Sequence, residues 1–261
     1  MLGQILVQPR LFIQRSSNLY TSTTSHTFFA DNSSSAGIGG IDSFTKLMLH
    51  ADGADGSTTF TDSELTPKTV TAAGDAQIDT AQKVFGTGSA LFDGTGDYLT
   101  TADHADWTIG TGSYTFDARV RFADLPADGD NRVLFSQATD DSNFRVLYIN
   151  NLVGAYRILF NSTQFGAPMV FATTLSINTW YHIAWVKSGN DYLVFKDGVQ
   201  QGTTLTDTTD LEDLTGALEI GRVNVSGGIL YFNGHMDEIR ISKGVARWTS
   251  NFTPPSGPYT E

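Results

Sequence analysis

The chain has 261 residues, 40% of them hydrophobic, no cysteine, and a formal net charge of −12. That length can bury a sizeable core, as one large all-β domain with an appendage or as two small domains, and that charge argues against a nucleic-acid partner held through its phosphates. Without cysteine there is neither a disulfide framework nor a thiolate nucleophile or metal site, so the fold must hold by its core or by metals bound through oxygen.

In chain order, residues 1–41 differ from the rest of the chain. The apolar stretch "MLGQILVQPRLFIQR" leads into "SSNLYTSTTSHTFFADNSSS" and then "AGIGG". Such a segment is too polar and too rich in glycine to build its own core, and it reads as an arm or linker. Within it Leu2, Ile5, Val7, Leu11 and Ile13, with Pro9 between them, suit the addition of strands to a partner's sheet edge. Arg10 and Arg15 come after the short apolar run Ile5-Leu6-Val7 rather than before it, the reverse of a signal peptide. No run approaches the ~18 apolar residues of a membrane span.

From Phe44 onward, short alternating apolar runs are separated by clusters of Gly, Asp, Asn and Ser. In "SYTFDARVRF", Tyr114, Phe116, Ala118, Val120 and Phe122 share one face, while Thr115, Asp117, Arg119 and Arg121 share the other. This period of two predicts a half-buried strand. "RVLFSQ", "FRVLYIN", "AYRILFN", "WYHIAWVK", "YLVFKDG", "ALEIGR" and "MDEIRIS" are further strands in the same style. Asp197-Gly198 suits a type I′ hairpin, and "DGTGDYL" (93–99) reads as a turn before a strand rather than a calcium loop. Many short strands with no long helical period predict an all-β antiparallel two-sheet sandwich or jelly roll.

The motifs of nucleophilic and metal-dependent hydrolysis are missing: no H-E-x-x-H spacing joins the five histidines, and there is no G-x-S-x-G. Glycosidases need two carboxylic side chains in one cleft. Glu212 and Asp213 are adjacent, as are Asp237 and Glu238, so each pair splits across the faces of an extended strand. The expectation is a protein that is not an enzyme. Trp180, Tyr181, Trp185, Phe116 and Phe160 read as core. Trp107, Tyr148 and Tyr156 are the candidates to line a ligand pocket at a loop end, because aromatic rings stack on the apolar faces of sugars.

Five stretches, "LMLHADGADGSTTFTDSE" (47–64), "FGTGSALFDGTGDYLTTADHADWTIGTGSYTFDARVRF" (85–122), "NTWYHIAWVKSGNDYLVFKDGVQQG" (178–202), "ALEIGR" (217–222) and "FNGHMDEIRISKGVARWTSNFTPP" (232–255), resemble the laminin-G-like, concanavalin A-like jelly roll of bacterial and phage proteins. The resemblance runs from about Phe44 to Tyr259 and leaves the first 41 residues outside it. It implies two packed antiparallel sheets, a concave face that holds glycan in some members, and often a structural calcium that joins the first and last strands. Asp237 shares strand parity with Ile239 and Ile241, and a carboxylate on an apolar face is costly unless it is paired or bound to metal. Calcium takes six to eight oxygen ligands. The resemblance therefore puts Asp237 beside "HADGADGSTTFTD", with Asp52, Asp55 and Asp62 as co-ligands; the alternative is that Asp237 accepts backbone hydrogen bonds and the Asp-Gly pairs are turns.

The expected organisation is an anchoring arm (1–41) and a jelly-roll domain (42–261). The expected function is a structural protein of a bacteriophage virion, a capsid decoration or tail-associated appendage. The arm would dock to other virion proteins, and the domain would face host surface glycans, with several copies supplying avidity. The alternative is a secreted or cell-surface bacterial lectin, and a glycan hydrolase stands behind both.

Overall fold

The computed structural model describes residues 40–261. The arm and its apolar positions Leu2, Ile5, Val7, Leu11 and Ile13 lie outside the described residues. Within them the strands are β1 (Thr45–Leu49), β2 (Thr71–Ala73), β3 (Gln77–Asp79), β4 (Ser89–Asp93), β5 (Tyr98–Thr101), β6 (Tyr114–Phe122), β7 (Asn131–Asp140), β8 (Asn143–Leu152) and β9 (Ala155–Ser162). They continue with β10 (Met169–Ala172), β11 (Trp180–Ser188), β12 (Asp191–Lys196), β13 (Val199–Gln200), β14 (Leu205–Thr206), β15 (Leu218–Ile220), β16 (Arg222–Val225), β17 (Gly228–Tyr231) and β18 (Asn233–Lys243). One short 3-10 turn, Ala105–Trp107, interrupts them. No helix among the described residues is long and apolar enough to cross a membrane.

Two antiparallel sheets stack into the expected sandwich. The nine-stranded sheet runs β13-β12-β11-β6-β18-β4-β3, with β1 also paired to β18 and β14 to β12. The seven-stranded sheet runs β10-β9-β8-β7-β15-β5-β2, and β16 and β17 form a separate hairpin. The alternation read in residues 114–122 holds, since Tyr114, Phe116, Ala118, Val120 and Phe122 all enter the core. Aromatic rings bridge the sheets there, with centroids 4.8 Å apart for Phe116–Phe135 and 4.2 Å for Phe160–Trp185. Trp180 departs from the expected core role: it is half-buried on the outer side, against His235. The hairpin at Asp197-Gly198 has positive φ at both positions, 50° and 76°, as a type I′ turn demands.

The last strand breaks the strict parity read from the sequence. Asp237 lies opposite Arg119 and Arg240 opposite Asp117, so Glu238 and Ile239 together face Ala118. This is a β-bulge, with Glu238 at φ 51°. Its extra residue changes which side each neighbour faces. Met236, Ile239 and Ile241 enter the core, whereas Asp237 lies outside it beside Arg119. The expectation that Asp237 shares a face with Ile239 and Ile241 is therefore corrected.

The outer face of the nine-stranded sheet is sealed by the chain's own C-terminal segment. Trp248 covers Ala184, Val186, Leu193 and Phe195, and stacks on Phe252 at 4.1 Å. Phe252 N–H donates to the Gly198 carbonyl at 2.9 Å, and Tyr259 packs with Ile41 and Met48. Beneath this cover lies a fully buried ion pair, with Arg240 Nε donating to Asp117 Oδ1 at 3.0 Å. Tyr259 hydroxyl donates to Asp117 Oδ2 at 2.5 Å, and the Arg240 guanidinium sits 3.7 Å over the Tyr259 ring. Burial alone would raise the Asp117 pKa, but the Arg240 charge and the bonds from His182 and Tyr259 outweigh it and bring it to about 2.

A carboxyl held that low is more acidic in the folded chain than in the unfolded one. Its contribution is complete above the unfolded value near 4 and is lost as pH falls toward 2. Urea unfolding across that window should show Asp117→Asn with a flatter loss of stability than the parent, a difference on the order of 2 kcal/mol. At neutral pH the same substitution should cost about 3–5 kcal/mol, because it takes the Asp117 carboxylate away from a buried guanidinium.

Candidate functional site

The outer face of the seven-stranded sheet is built differently. In β8 the residues Leu147 and Ile149 point into the core, which turns Val146, Tyr148 and Asn150 outward. Over this face folds the β16–β17 hairpin. It docks through Val223 onto Val133 and Val146, with Phe144, Tyr148, Val225 and Leu230 at the margin of the contact. Ser136 hydroxyl donates to the Arg222 carbonyl at 2.7 Å, which fixes the hairpin's base. The Arg222 guanidinium lies 3.4 Å over the Tyr98 ring and pairs with Glu219.

Among the described residues, three clefts open around the hairpin. The largest, about 340 Å³, is polar and is lined by Asp93, Asp124, Asp130, Arg132, Tyr231 and Asn233 among others. Arg132 organises its carboxylates: it donates to Asp124 at 2.8 and 2.6 Å and to Asp130 at 2.8 Å. The fork of bonds from Arg132 holds the Asp124 carboxyl below its usual range, against the opposing effect of burial. A second cleft of about 160 Å³ is walled by Phe144, Val146, Tyr148, Val223, Val225 and Leu230, and it shares Asn131 and Leu230 with the first. A third, about 200 Å³, lies beside Glu219, Arg222 and Asn224.

Of the three aromatic candidates, the structure places only Tyr148 in a cleft wall. Tyr156 leans inward onto the core instead. Trp107 is 1% exposed, its Nε1 donates to the Ala102 carbonyl at 2.9 Å, and Lys68 lies over its ring. A ring enclosed in this way cannot serve as a sugar platform, so Trp107 is core. Tyr231, Asn131, Asp124, Asp130, Arg132 and Arg222 are the site residues that sequence reasoning missed. The available signal was "RVNVSGGILY", two alternating runs around a Gly-Gly turn.

The four proposed calcium ligands separate into two groups. Pairing of β1 with β18 carries His50 and Asp52 toward Asp237, as the resemblance implies. Asp237 Oδ2 accepts from the N–H groups of Val84 and Phe85 at 2.7 and 3.0 Å, and Asp52 Oδ1 accepts from the Thr87 hydroxyl at 3.0 Å, so the two carboxylates hold opposite ends of one turn. At Gly86, inside that turn, an added Cβ would stand 2.1 Å from Asp52 Oδ1. Asp55 and Asp62 do not join them. Asp55 accepts from Thr80 N–H at 3.0 Å, and Asp62 is consumed by the N–H groups of Met48, Glu64 and Lys68 at 2.9, 3.1 and 2.9 Å.

Asp237 nevertheless has the character of a ligand position. Its Oδ1 is buried with no hydrogen-bond partner, and burial, opposed by the two backbone bonds and helped by Glu238, pushes its pKa up to about 7. A divalent cation would satisfy that atom and restore the ionised form. Of the two roles weighed for Asp237, the backbone acceptor is the one on view: one oxygen accepts from Val84 and Phe85, while the other stands unmatched. Asp75, Asp93 and Asp97 also approach one another, but Asp97 is occupied by the N–H groups of Asp75 and Asp93, as expected of a turn.

The profile of the concanavalin A-like lectin/glucanases superfamily matches residues 93–249. No curated protein matches the chain. Among solved structures the chain resembles domain 4 of AbnA, a GH43 extracellular arabinanase from Geobacillus stearothermophilus solved with arabinotriose, at 19% identity and a TM-score of 0.58, over 77% of this chain and 93% of that one. It also resembles the binding domain of Paraclostridial mosquitocidal protein 1, at 12% identity and a TM-score of 0.56, over 78% of this chain and 50% of that one. A botulinum neurotoxin type C structure, described as entering cells through two ganglioside molecules, aligns at 11% identity and a TM-score of 0.55, over 79% of this chain and 50% of that one. At these identities the likeness is one of fold, and the chain spans half the length of the two toxin structures.

Proposed function

The chain belongs to the concanavalin A-like lectin/glucanases superfamily, and we propose that it acts as a non-catalytic module that binds glycan on the outer face of the seven-stranded sheet, around the β16–β17 hairpin. The observation that carries this reading is the asymmetry of the two outer faces. One is closed by the chain's own Trp248, Phe252 and Tyr259, while on the other the hairpin leaves the apolar cleft open and, where it meets the ends of β4 and β18, the polar one. Ring faces and clustered hydrogen-bonding groups suit a sugar's apolar and hydroxylated sides. The arabinotriose of the arabinanase domain and the gangliosides of the toxin support a ligand of this class. Glycosidic cleavage needs one carboxylic acid ready to give a proton. Arg132 holds the Asp124 carboxyl below its usual range, which suits it to accept hydrogen bonds rather than to give a proton.

Tyr231→Ala and Tyr148→Ala should each weaken glycan binding about tenfold without shifting the melting temperature by more than a few degrees, as read by calorimetry and thermal unfolding of the full chain. Undiminished binding in both variants would remove the site from this face.

The carrier we propose is a bacteriophage virion, as a capsid decoration or tail-associated appendage, with residues 42–261 as the displayed domain. Support comes from residues 1–41, whose apolar positions suit docking to other virion proteins and whose Ser/Thr-rich remainder suits a tether. A secreted or cell-surface bacterial lectin is the alternative. Particles lacking the protein should bind the full chain and not the chain without residues 1–41; equal failure of both would discard the virion assignment.

We also propose that a structural calcium is held by Asp237 and Asp52 at the 84–88 turn; the unmatched Asp237 Oδ1 supports it. Chelator should lower the melting temperature of the parent by several degrees and leave Asp237→Asn unchanged, because a ligand bound only by the folded state stabilises by mass action. Identical melting of the parent with and without chelator would refute a bound ion.

A further inference from the structure

The two adjoining clefts differ in size and chemistry, and together they narrow the ligand. The polar cleft, at about 340 Å³, falls in the ~300–1,000 Å³ range of small-molecule sites, whereas the apolar one, at about 160 Å³, falls below it. The larger has room for a ring, and the smaller for a substituent on that ring. Since Asn131 and Leu230 line both, a ligand seated in the first can extend into the second.

Charge sets the first constraint. Asp93, Asp124 and Asp130 face the polar cleft with Arg132, whose guanidinium is already committed to Asp124 and Asp130. The cleft therefore carries a surplus of acceptors and no cation left to receive a ligand's carboxylate. Placing a uronic or sialic acid group there would bring like charges together and strip water from an unmatched anion.

The junction sets the second constraint. Asn131 Oδ1 accepts from Asn150 Nδ2 at 2.8 Å, which fixes the orientation of its amide and leaves its Nδ2 side as a donor. Beyond it the wall is mostly apolar, with Phe144, Val146, Val225, Leu230 and the Tyr148 ring, and Asn161 as a further amide. A group that suits this order has a carbonyl oxygen next to a methyl.

On the reading that this face binds glycan, we propose that the ligand is a neutral glycan bearing an acylamino group, an N-acetylhexosamine above all. Its hydroxyls and amide N–H meet the carboxylates of the polar cleft, its acyl carbonyl accepts from Asn131, and its methyl enters the apolar cleft.

The test is an array on which the full chain meets N-acetylhexosamine oligosaccharides beside their de-N-acetylated amines and beside uronate oligosaccharides, followed by titration of the best binder. The N-acetylated set should bind at least tenfold more tightly than the uronates, and, at a salt concentration that screens the attraction of protonated amines to the carboxylates, more tightly than the amines as well. Asn131→Asp, which replaces the donor with another carboxylate, should lose about tenfold toward the N-acetylated ligand while melting as the parent does. Equal or tighter binding of the amines or the uronates, abolished by Tyr231→Ala, would overturn the acylamino assignment and leave glycan binding at this face intact. N-acetylated ligands bound with full affinity by Asn131→Asp would overturn the placement of the acyl group. An array with no bound glycan of any class would overturn both this inference and the reading on which it rests.

Discussion

The bulge at Glu238 is the constraint on which the outer architecture of the nine-stranded sheet depends. A non-glycine residue at φ 51° is unfavourable by about a kilocalorie or more, so its surroundings must hold it there. They do so through its side chain: Oε1 meets His50 Nδ1 at 2.7 Å and Oε2 accepts from Tyr259 N–H at 2.8 Å. One strained residue thereby ties the region after the first strand to the C-terminal segment. By shifting parity it also sends Asp237 and Arg240 to the outer side of the sheet while Met236, Ile239 and Ile241 fill the core. The ion pair with Asp117 and the carboxylate grip on the 84–88 turn both result from that shift.

Covering charge with the chain's own tail has a second effect. Arg119, Asp117, His182 and Arg240 would make a polar outer sheet face attractive to water. Tyr259, Trp248 and Phe252 convert it to interior, and the polar groups pair among themselves or with backbone, as where Arg119 reaches the Pro255 carbonyl. Burial of this kind brings little net stability but penalises alternatives, because each removed partner leaves a charge unmatched. On the opposite sheet the hairpin covers part of the face and is held by a small apolar cluster separate from the main core.

Much of this was legible in the sequence wherever local alternation settled the matter. Residues 114–122 showed their buried face directly, and Asp197-Gly198 marked its turn, because period and turn chemistry are properties of neighbouring residues. An acid in an apolar run demands compensation, and Asp237 has it, but on the opposite side of the sheet from the one its parity implies: a bulge depends on the register with β6 and leaves no mark in the strand's own composition. Trp107 failed similarly, for its polar setting "DHADWTIG" hides a ring enclosed by Lys68 and the main core. The site itself was the least legible part. Asp124, Asp130 and Arg132 lie near one another in sequence, but Asp93 and Asn233 arrive from β4 and β18, which pair in the nine-stranded sheet, and Tyr231 arrives on the hairpin, so the tertiary fold alone brings the set together.

The net charge of −12 acts in the same direction as the cleft. A chain this acidic repels anions at long range, and the carboxylates around Arg132 repeat that preference at contact distance. The neutral ligand proposed above would receive no steering from such a field, so its capture would rest on hydrogen bonds and ring contacts inside the clefts, which salt barely screens. Contacts of this kind are weak singly, and clefts this open leave much of a ligand in water. Repeated display on the carrier proposed above would multiply them, since each further copy adds effective concentration without any new contact chemistry.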